Sequence, residues 1–211
     1  MGYNGCRIGE ASNPGPVLSD EIDIISCNVN SLSRHMDEVL GWGAAAYLLQ
    51  ETRITDRLRD FAVDHFKEKG FALHTGAPVP GARNEHDLHG GPEGVAIAIA
   101  EQRMGPPMPR SVFAAGLTRS RRWCSALLSM GSSGTIVELH TIYGFAGAQS
   151  VRQDRQHNEA LLTRVFDFAG ASNLPVVIGG DWNVAPDRSA VIQTLVASGH
   201  WFIPGCNRPW S

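Results

Sequence analysis

Pro175-Val176-Val177-Ile178-Gly179-Gly180-Asp181-Trp182-Asn183 runs from a β-branched apolar stretch through two glycines straight into an aspartate and an asparagine. A short apolar run bounded by turn formers reads as a buried strand, so Asp181 and Asn183 stand at its end. Working outward, the same arrangement occurs twice more. Ile22 to Asn28 is a strand-like run rich in isoleucine, ending at Asn28 with Asn30 two residues on; Tyr47-Leu48-Leu49-Gln50 delivers Glu51. Strand ends are rigid and exposed, which is why active-site groups are often mounted there. Taken singly, each residue has an ordinary reading: Asn28 and Asn30 make turns, Glu51 is a surface acid, and Asp181 caps its loop.

Between these strands the pattern alternates. An amphipathic stretch runs from about Ser33 to Gly41, and Thr55-Asp56 to Lys69 reads as a helix, with Leu58, Phe61, Ala62, His65 and Phe66 at helical spacing, a capping residue before and Gly70 after. Phe71–Thr75, Gly94–Ala100, Trp123–Met130 and Thr135–Tyr143 read as strands, the last two joined by Gly131-Ser132-Ser133-Gly134. Ser150 to about Ala169 is a second long helix with Leu161, Leu162, Val165, Phe166 and Ala169 on its apolar face; Ser189 to Ser198 is a last one. Gly76 to Pro92 is a long loop without a period of its own, and Arg7 to Pro16 is rich in turn formers. Residues 1–20 therefore read as an extended leader and 21–211 as one domain. Helices interleaved with a run of consecutive strands suit two packed sheets with helices outside them.

Composition narrows the class. The chain of 211 residues is 43% apolar and 18% charged, with no apolar run near the length of a membrane-spanning helix. Its N-terminus lacks the basic and apolar regions of a secretory signal, so an intracellular location, nucleus or cytoplasm, is expected. Cys6, Cys27, Cys124 and Cys206 form no CxxC pair, which points to neither a zinc site nor a disulfide framework. A net charge of −3 excludes DNA binding through bulk positive charge, though not through a local basic face.

Cys27-Asn28-Val29-Asn30-Ser31-Leu32, Leu49-Gln50-Glu51-Thr52-Arg53 and Gly180-Asp181-Trp182-Asn183 resemble, in this order, three motifs of the endonuclease/exonuclease/phosphatase superfamily. Gly91-Pro92-Glu93-Gly94-Val95-Ala96-Ile97 resembles its glycine-led central strand, and His140-Thr141-Ile142-Tyr143-Gly144 the strand ending in its active-site tyrosine. The resemblance covers about Ile22 to Ser198. It implies an α/β four-layer sandwich, two mixed β-sheets flanked by helices as in DNase I. It also implies a Mg2+-dependent phosphodiester hydrolase, with Mn2+ as the substitute ion. In that reading Glu51 binds the metal, Asn28 assists there with Asn30 beside it, Asp181 aligns or deprotonates the attacking water, and Asn183 and Tyr143 hold the phosphate.

Three departures accompany the resemblance. Phe145 stands two residues after the tyrosine, where the family usually has proline; Trp182 replaces the commoner phenylalanine. The family also closes its site with a late aspartate and an Asp-His pair. No such pair follows Asp181, and Asp187 and His200 do not match. The expectation is a domain incomplete at its C-terminal edge. DNA is the expected substrate, and Gly9-Glu10-Ala11-Ser12-Asn13-Pro14-Gly15-Pro16 resembles a segment of retroelement-type proteins, which favours a retroelement endonuclease. The alternatives are a phosphatase of inositol phosphates, a sphingomyelinase-like phosphodiesterase, and a truncated, non-catalytic copy. Elsewhere, Arg119, Arg121 and Arg122 read as a solvated turn, His86 and His89 near Asp87 as polar surface, and His65, His74 and His140 as packing residues.

Overall fold

The computed structural model describes residues 4–7, 22–79, 93–108, 115–118, 120–131 and 134–203. The first sheet holds five strands: β1 (Asn4–Arg7), β2 (Asp23–Asn28), β3 (Ala46–Gln50), β4 (Phe71–Thr75) and β5 (Val95–Ala100), in the order β1-β2-β3-β5-β4. The second holds β6 (Trp123–Ser129), β7 (Ile136–Tyr143) and β8 (Val176–Asp181) in that order. Both are mixed: β2 and β3 run parallel, as do β7 and β8, and every other pairing is antiparallel. Helices α1 (Met36–Leu40) and α2 (Asp56–Glu68) cover the outer face of the first sheet; α3 (Ala115–Thr118), α4 (Arg152–Gly170) and α5 (Ala190–Ala197) lie on that of the second. This is the four-layer α/β sandwich expected from the sequence.

Period-two alternation sorts the strands between three apolar layers. Ala46, Leu48, Val95, Ile97 and Ile99 meet Ala126, Leu128, Val137 and Leu139 between the sheets. Tyr47, Leu49, Ala96 and Ala98 face the other way, onto Val39, Ala62 and Phe66 of the helices. Being buried on both faces, β3 and β5 read as continuous apolar runs rather than alternating ones. Trp123 and Ile142 turn outward onto Leu162, Val165 and Phe166 of α4. Between the sheets Gly179 makes room for Leu48: a Cβ there would lie 2.5 Å from Leu48 Cδ1. Gln50 crosses the same gap, its amide donating to Leu48 O (2.7 Å) and Thr141 Oγ1 (2.8 Å).

Local departures from the sequence reading have physical causes. Asn4–Arg7 pairs antiparallel with β2, so part of the segment read as leader forms an edge strand. Phe61 of α2 is 57% exposed: the inward stripe runs through Ala62 and Phe66, and Phe61 stacks on His65 instead. Thr55 makes no side-chain cap, whereas Ser189 caps α5 by accepting from Ile192 N (3.3 Å). His140 is fully buried, taking the Trp123 indole N–H on Nδ1 (3.1 Å) and placing Nε2 3.0 Å from Glu138. Among the described residues no helix is long and apolar enough to cross a membrane. The Gly9–Pro16 segment, Gly91, Pro92, Arg119, Ser132, Ser133, His86, Asp87, His89 and the rest of the loop beyond Val79 lie outside the described residues.

Candidate active site

The two parallel strand pairs build the site. Asn28 and Gln50 are register partners in the first sheet, so Glu51 emerges beside Asn28; Tyr143 and Asp181 are partners in the second. The C-terminal ends of all four strands meet at one edge of the sandwich. There the Asn28 amide nitrogen donates both to Glu51 Oε1 (2.8 Å) and to Asp181 Oδ2 (3.2 Å), joining carboxylates that are 130 residues apart in sequence, from 51 to 181. The Tyr143 hydroxyl donates to the same Glu51 oxygen (2.9 Å). Asn183 donates from its backbone to Asp181 Oδ1 (3.3 Å) and from its amide to Gly144 O (3.1 Å). Asn28, Glu51, Tyr143, Asp181 and Asn183 therefore share one cluster. Asn30 stands at its rim, where its amide oxygen accepts from Arg53 (2.7 Å).

The backbone around this cluster is strained. Among the described residues, the non-glycine positions with positive φ are Asn30 (45°), Ser31 (92°), Glu51 (52°), Arg53 (53°) and Asn183 (50°), all at or beside the three strand ends. Left-handed backbone costs an L-residue roughly 1–2 kcal/mol and persists only where its surroundings over-determine it. Here hydrogen bonds do so: Ser31 N to Glu51 O (2.8 Å), Leu32 N to Thr52 O (2.9 Å), Thr52 N to Gly94 O (3.1 Å) and Arg53 N to Glu93 O (3.0 Å). Gly94 has φ 104°, and a Cβ on it would sit 2.6 Å from Thr52 Oγ1, which accounts for the glycine leading β5.

Electrostatics keep Tyr143 protonated. Burial, then its bond to Glu51 and the charges of Glu51 and Asp181, raise the phenol well above its ordinary value, opposed by Arg122 over its ring. The hydroxyl is thus a neutral donor throughout the physiological range.

Arg122 corrects the sequence reading of a solvated turn. Its side chain is 16% exposed, bonds Glu93 (2.7 Å), Gly144 O (2.8 Å) and Tyr143 O (3.3 Å), and lies 4.1 Å over the Phe145 ring. Arg121, at 41% exposure, bonds Pro78 O and faces Glu93 at 3.7 Å. A basic pair just before a strand carries no signal of which member turns inward; only alternation along β6 hints at it. Asn158 and Glu93 carry no sequence signal of a place at the site, because an asparagine in a helix and a glutamate in a loop are unremarkable by pattern.

The chain has the fold of the endonuclease/exonuclease/phosphatase superfamily, the DNase I-like sandwich of two mixed sheets between helices. It is similar to an AP endonuclease from Archaeoglobus fulgidus (20% identity, TM-score 0.56, covering 77% of this chain and 58% of that one). It is also similar to the 3'-5' exonuclease NExo from Neisseria meningitidis (20%, 0.53, covering 77% and 58%). A humanized TDP2 from D. rerio aligns at 17% identity and TM-score 0.54, covering 84% of this chain and 71% of that one. The aligned region thus spans under three-fifths of the first two proteins. No protein-family model matches the sequence, and a search of curated proteins gave no match.

Proposed function

We propose that this chain is a divalent-cation-dependent phosphodiester hydrolase acting on DNA. One observation carries the reading: a single amide, that of Asn28, bonds two carboxylates brought from different sheets, with a neutral tyrosine hydroxyl on the first of them. Phosphodiester hydrolysis needs an oriented water, a donor for the developing charge and a cation beside a hard-oxygen ligand. The similar structures add support, since NExo is described with a product DNA hairpin and TDP2 with a single-stranded DNA product.

Mg2+ is the ion this reading assigns to the site. Glu51 Oε2 faces Arg53 at 3.7 Å, outside hydrogen-bond range, and so retains lone pairs for a hard cation. Among the described residues no three acidic, histidine or cysteine side chains cluster, so Glu51 with Asn28 would hold the ion and water would fill its remaining positions. Asn30 is the weaker ligand because the charged Arg53 takes its amide oxygen at 2.7 Å, whereas that of Asn28 accepts a longer bond from Asn30 N (3.2 Å). When bound, the cation neutralises charge on the phosphate oxygens. Asp181 orients the attacking water and takes its proton at Oδ2, Tyr143 would turn its one hydroxyl proton from Glu51 Oε1 to a phosphate oxygen when substrate enters, and Asn183 fixes the loop that aims Asp181.

The test is nicking of supercoiled plasmid. Nicking should require Mg2+ or Mn2+, stop with chelator and fall on the order of a thousandfold in Asp181→Asn, as expected for groups acting as a unit. Mg2+ should raise the unfolding temperature of the wild type and leave that of Glu51→Gln unchanged. Hydrolysis of inositol phosphates or sphingomyelin without nicking would move the substrate away from DNA, and an undiminished Asp181→Asn enzyme would overturn the site.

A further inference from the structure

Asn158 lies on the inner face of α4, 1% exposed, one turn before the Leu161 and Leu162 that pack against the second sheet. Its two amide atoms serve two different loops. Oδ1 accepts from Phe145 N (3.0 Å), in the loop after Tyr143, and Nδ2 donates to Trp182 O (3.1 Å), in the loop between Asp181 and Asn183. Gly144 permits this approach, because a Cβ there would lie 2.2 Å from Trp182 O and 2.7 Å from Asn158 Oδ1. Further bonds run directly between the loops, Gly144 N to Asp181 O (2.7 Å) and the Asn183 amide to Gly144 O. The first turns of α4 hold the same loop elsewhere: Arg155 donates to Ala148 O (3.1 Å) and Gln149 O (2.9 Å).

From this geometry we infer that Asn158 is a positioning residue that locks the Tyr143 and Asp181–Asn183 loops in register, and so sets the distance between the phosphate-facing hydroxyl and the water-orienting carboxylate. The inference rests on the phosphodiesterase reading for its catalytic consequence only. Phe145 occupies the place where the sequence resemblance leads one to expect proline. A proline ring stiffens a loop but has no N–H to give. Here the N–H is present and is used, so a helix-borne side chain supplies the rigidity. A buried asparagine with both ends bonded is suited to that work, because either bond, once lost, leaves a part-buried backbone group short of a partner.

The experiment compares Asn158→Leu, Asn158→Asp and Leu162→Ala, the last a core truncation on the same helix that touches neither bond. Amide hydrogen exchange is read residue by residue, alongside unfolding temperature and the kcat and KM of oligonucleotide cleavage. Asn158→Leu should speed exchange at Phe145 by about tenfold, the cost of one buried hydrogen bond, and lower kcat by about as much at nearly constant KM. Asn158→Asp keeps the acceptor, so it should leave Phe145 protected while loosening residues 182–184. Leu162→Ala should lower the unfolding temperature and leave exchange at these amides slow. If Asn158→Leu lowers stability with Phe145 still protected, Asn158 is a packing residue and the inference is wrong. If the loop opens while kcat holds, positioning is refuted. A wild type without cleavage activity would refute the phosphodiesterase reading alone, since the exchange pattern still decides whether the clamp exists.

Discussion

Glu51 reaches the cluster from β3, a strand buried on both faces, whereas Asp181 reaches it from β8, every residue of which is partly exposed. The backbone of the first arm is tied by main-chain bonds from Ser31, Leu32, Thr52 and Arg53, and the Asn28 and Tyr143 side chains add only to its carboxylate tip. The second has main-chain bonds too, Gly144 N to Asp181 O and Tyr143 N to Arg122 O, but its loops lean in addition on the side chains of Asn158, Asn183 and Arg122. The difference teaches where the site is sensitive. Point substitutions should leave the Glu51 arm in place unless they change backbone conformation, and should readily displace the Tyr143–Asp181 arm.

The largest test of that contrast uses glycines. Gly180 has φ 151°, and a Cβ on it would lie 2.1 Å from Ile142 O, so Gly180→Ala should cost about 3 kcal/mol by pushing β8 from β7. Gly43, in the turn before β3 at the end of that strand away from Glu51, has φ 74° with nothing within 4 Å of a Cβ, and Gly43→Ala should cost about 1 kcal/mol from backbone conformation alone. Denaturant unfolding measures both, and equal costs would erase the asymmetry. A smaller effect separates two neighbours: Arg122→Met should cost about 2 kcal/mol, since it leaves a part-buried Glu93 and two carbonyls short of a donor. Arg121→Met should cost under about 0.5 kcal/mol, as its ion pair is solvated. If Arg121 matters as much as Arg122, the loop is held by charge rather than by bonds.

The smallest effect concerns β7 beneath the second arm. Burial pushes the Glu138 carboxyl up, but contacts from His140 and Ser172 outweigh it and hold the group below its ordinary value. A carboxyl depressed in the folded state adds stability that is fully present above its ordinary value near 4.5 and fades as pH falls through the lower folded value. Unfolding free energy measured from neutral pH downward should therefore drop more steeply below about pH 4.5 in the wild type than in Glu138→Gln. Parallel curves would remove Glu138 from the account.

Much of this was legible in the chain. β3, β5 and β8 show as apolar runs with polar termini, and α2 and α4 show by period, because burial leaves a direct imprint on residue type. The convergence of Asn28, Glu51, Tyr143, Asp181 and Asn183 could be expected only through family motifs, since strand pairing is long-range and leaves no trace in spacing. What stayed illegible were groups defined by partners: Arg122, whose guanidinium reaches back to Gly144 O and Glu93, and Asn158, whose two bonds join loops 37 residues apart, from 145 to 182. Phe61 misled because an aromatic at helical spacing looks like core whichever way it points.

The positive-φ residues carry an implication for anyone improving this protein. Asn30, Ser31, Glu51, Arg53 and Asn183 hold conformations that glycine adopts freely. A directed-evolution screen for heat resistance alone would be drawn to such positions, because relieving strain is an accessible route to a higher melting point. It would then strip the cluster of the side chains around Asn28 and Asp181 and return a sturdier scaffold without the proposed site. A screen that also scores the proposed phosphodiester cleavage keeps those five codons fixed and finds its gains elsewhere, on the solvent faces of α2 and α4.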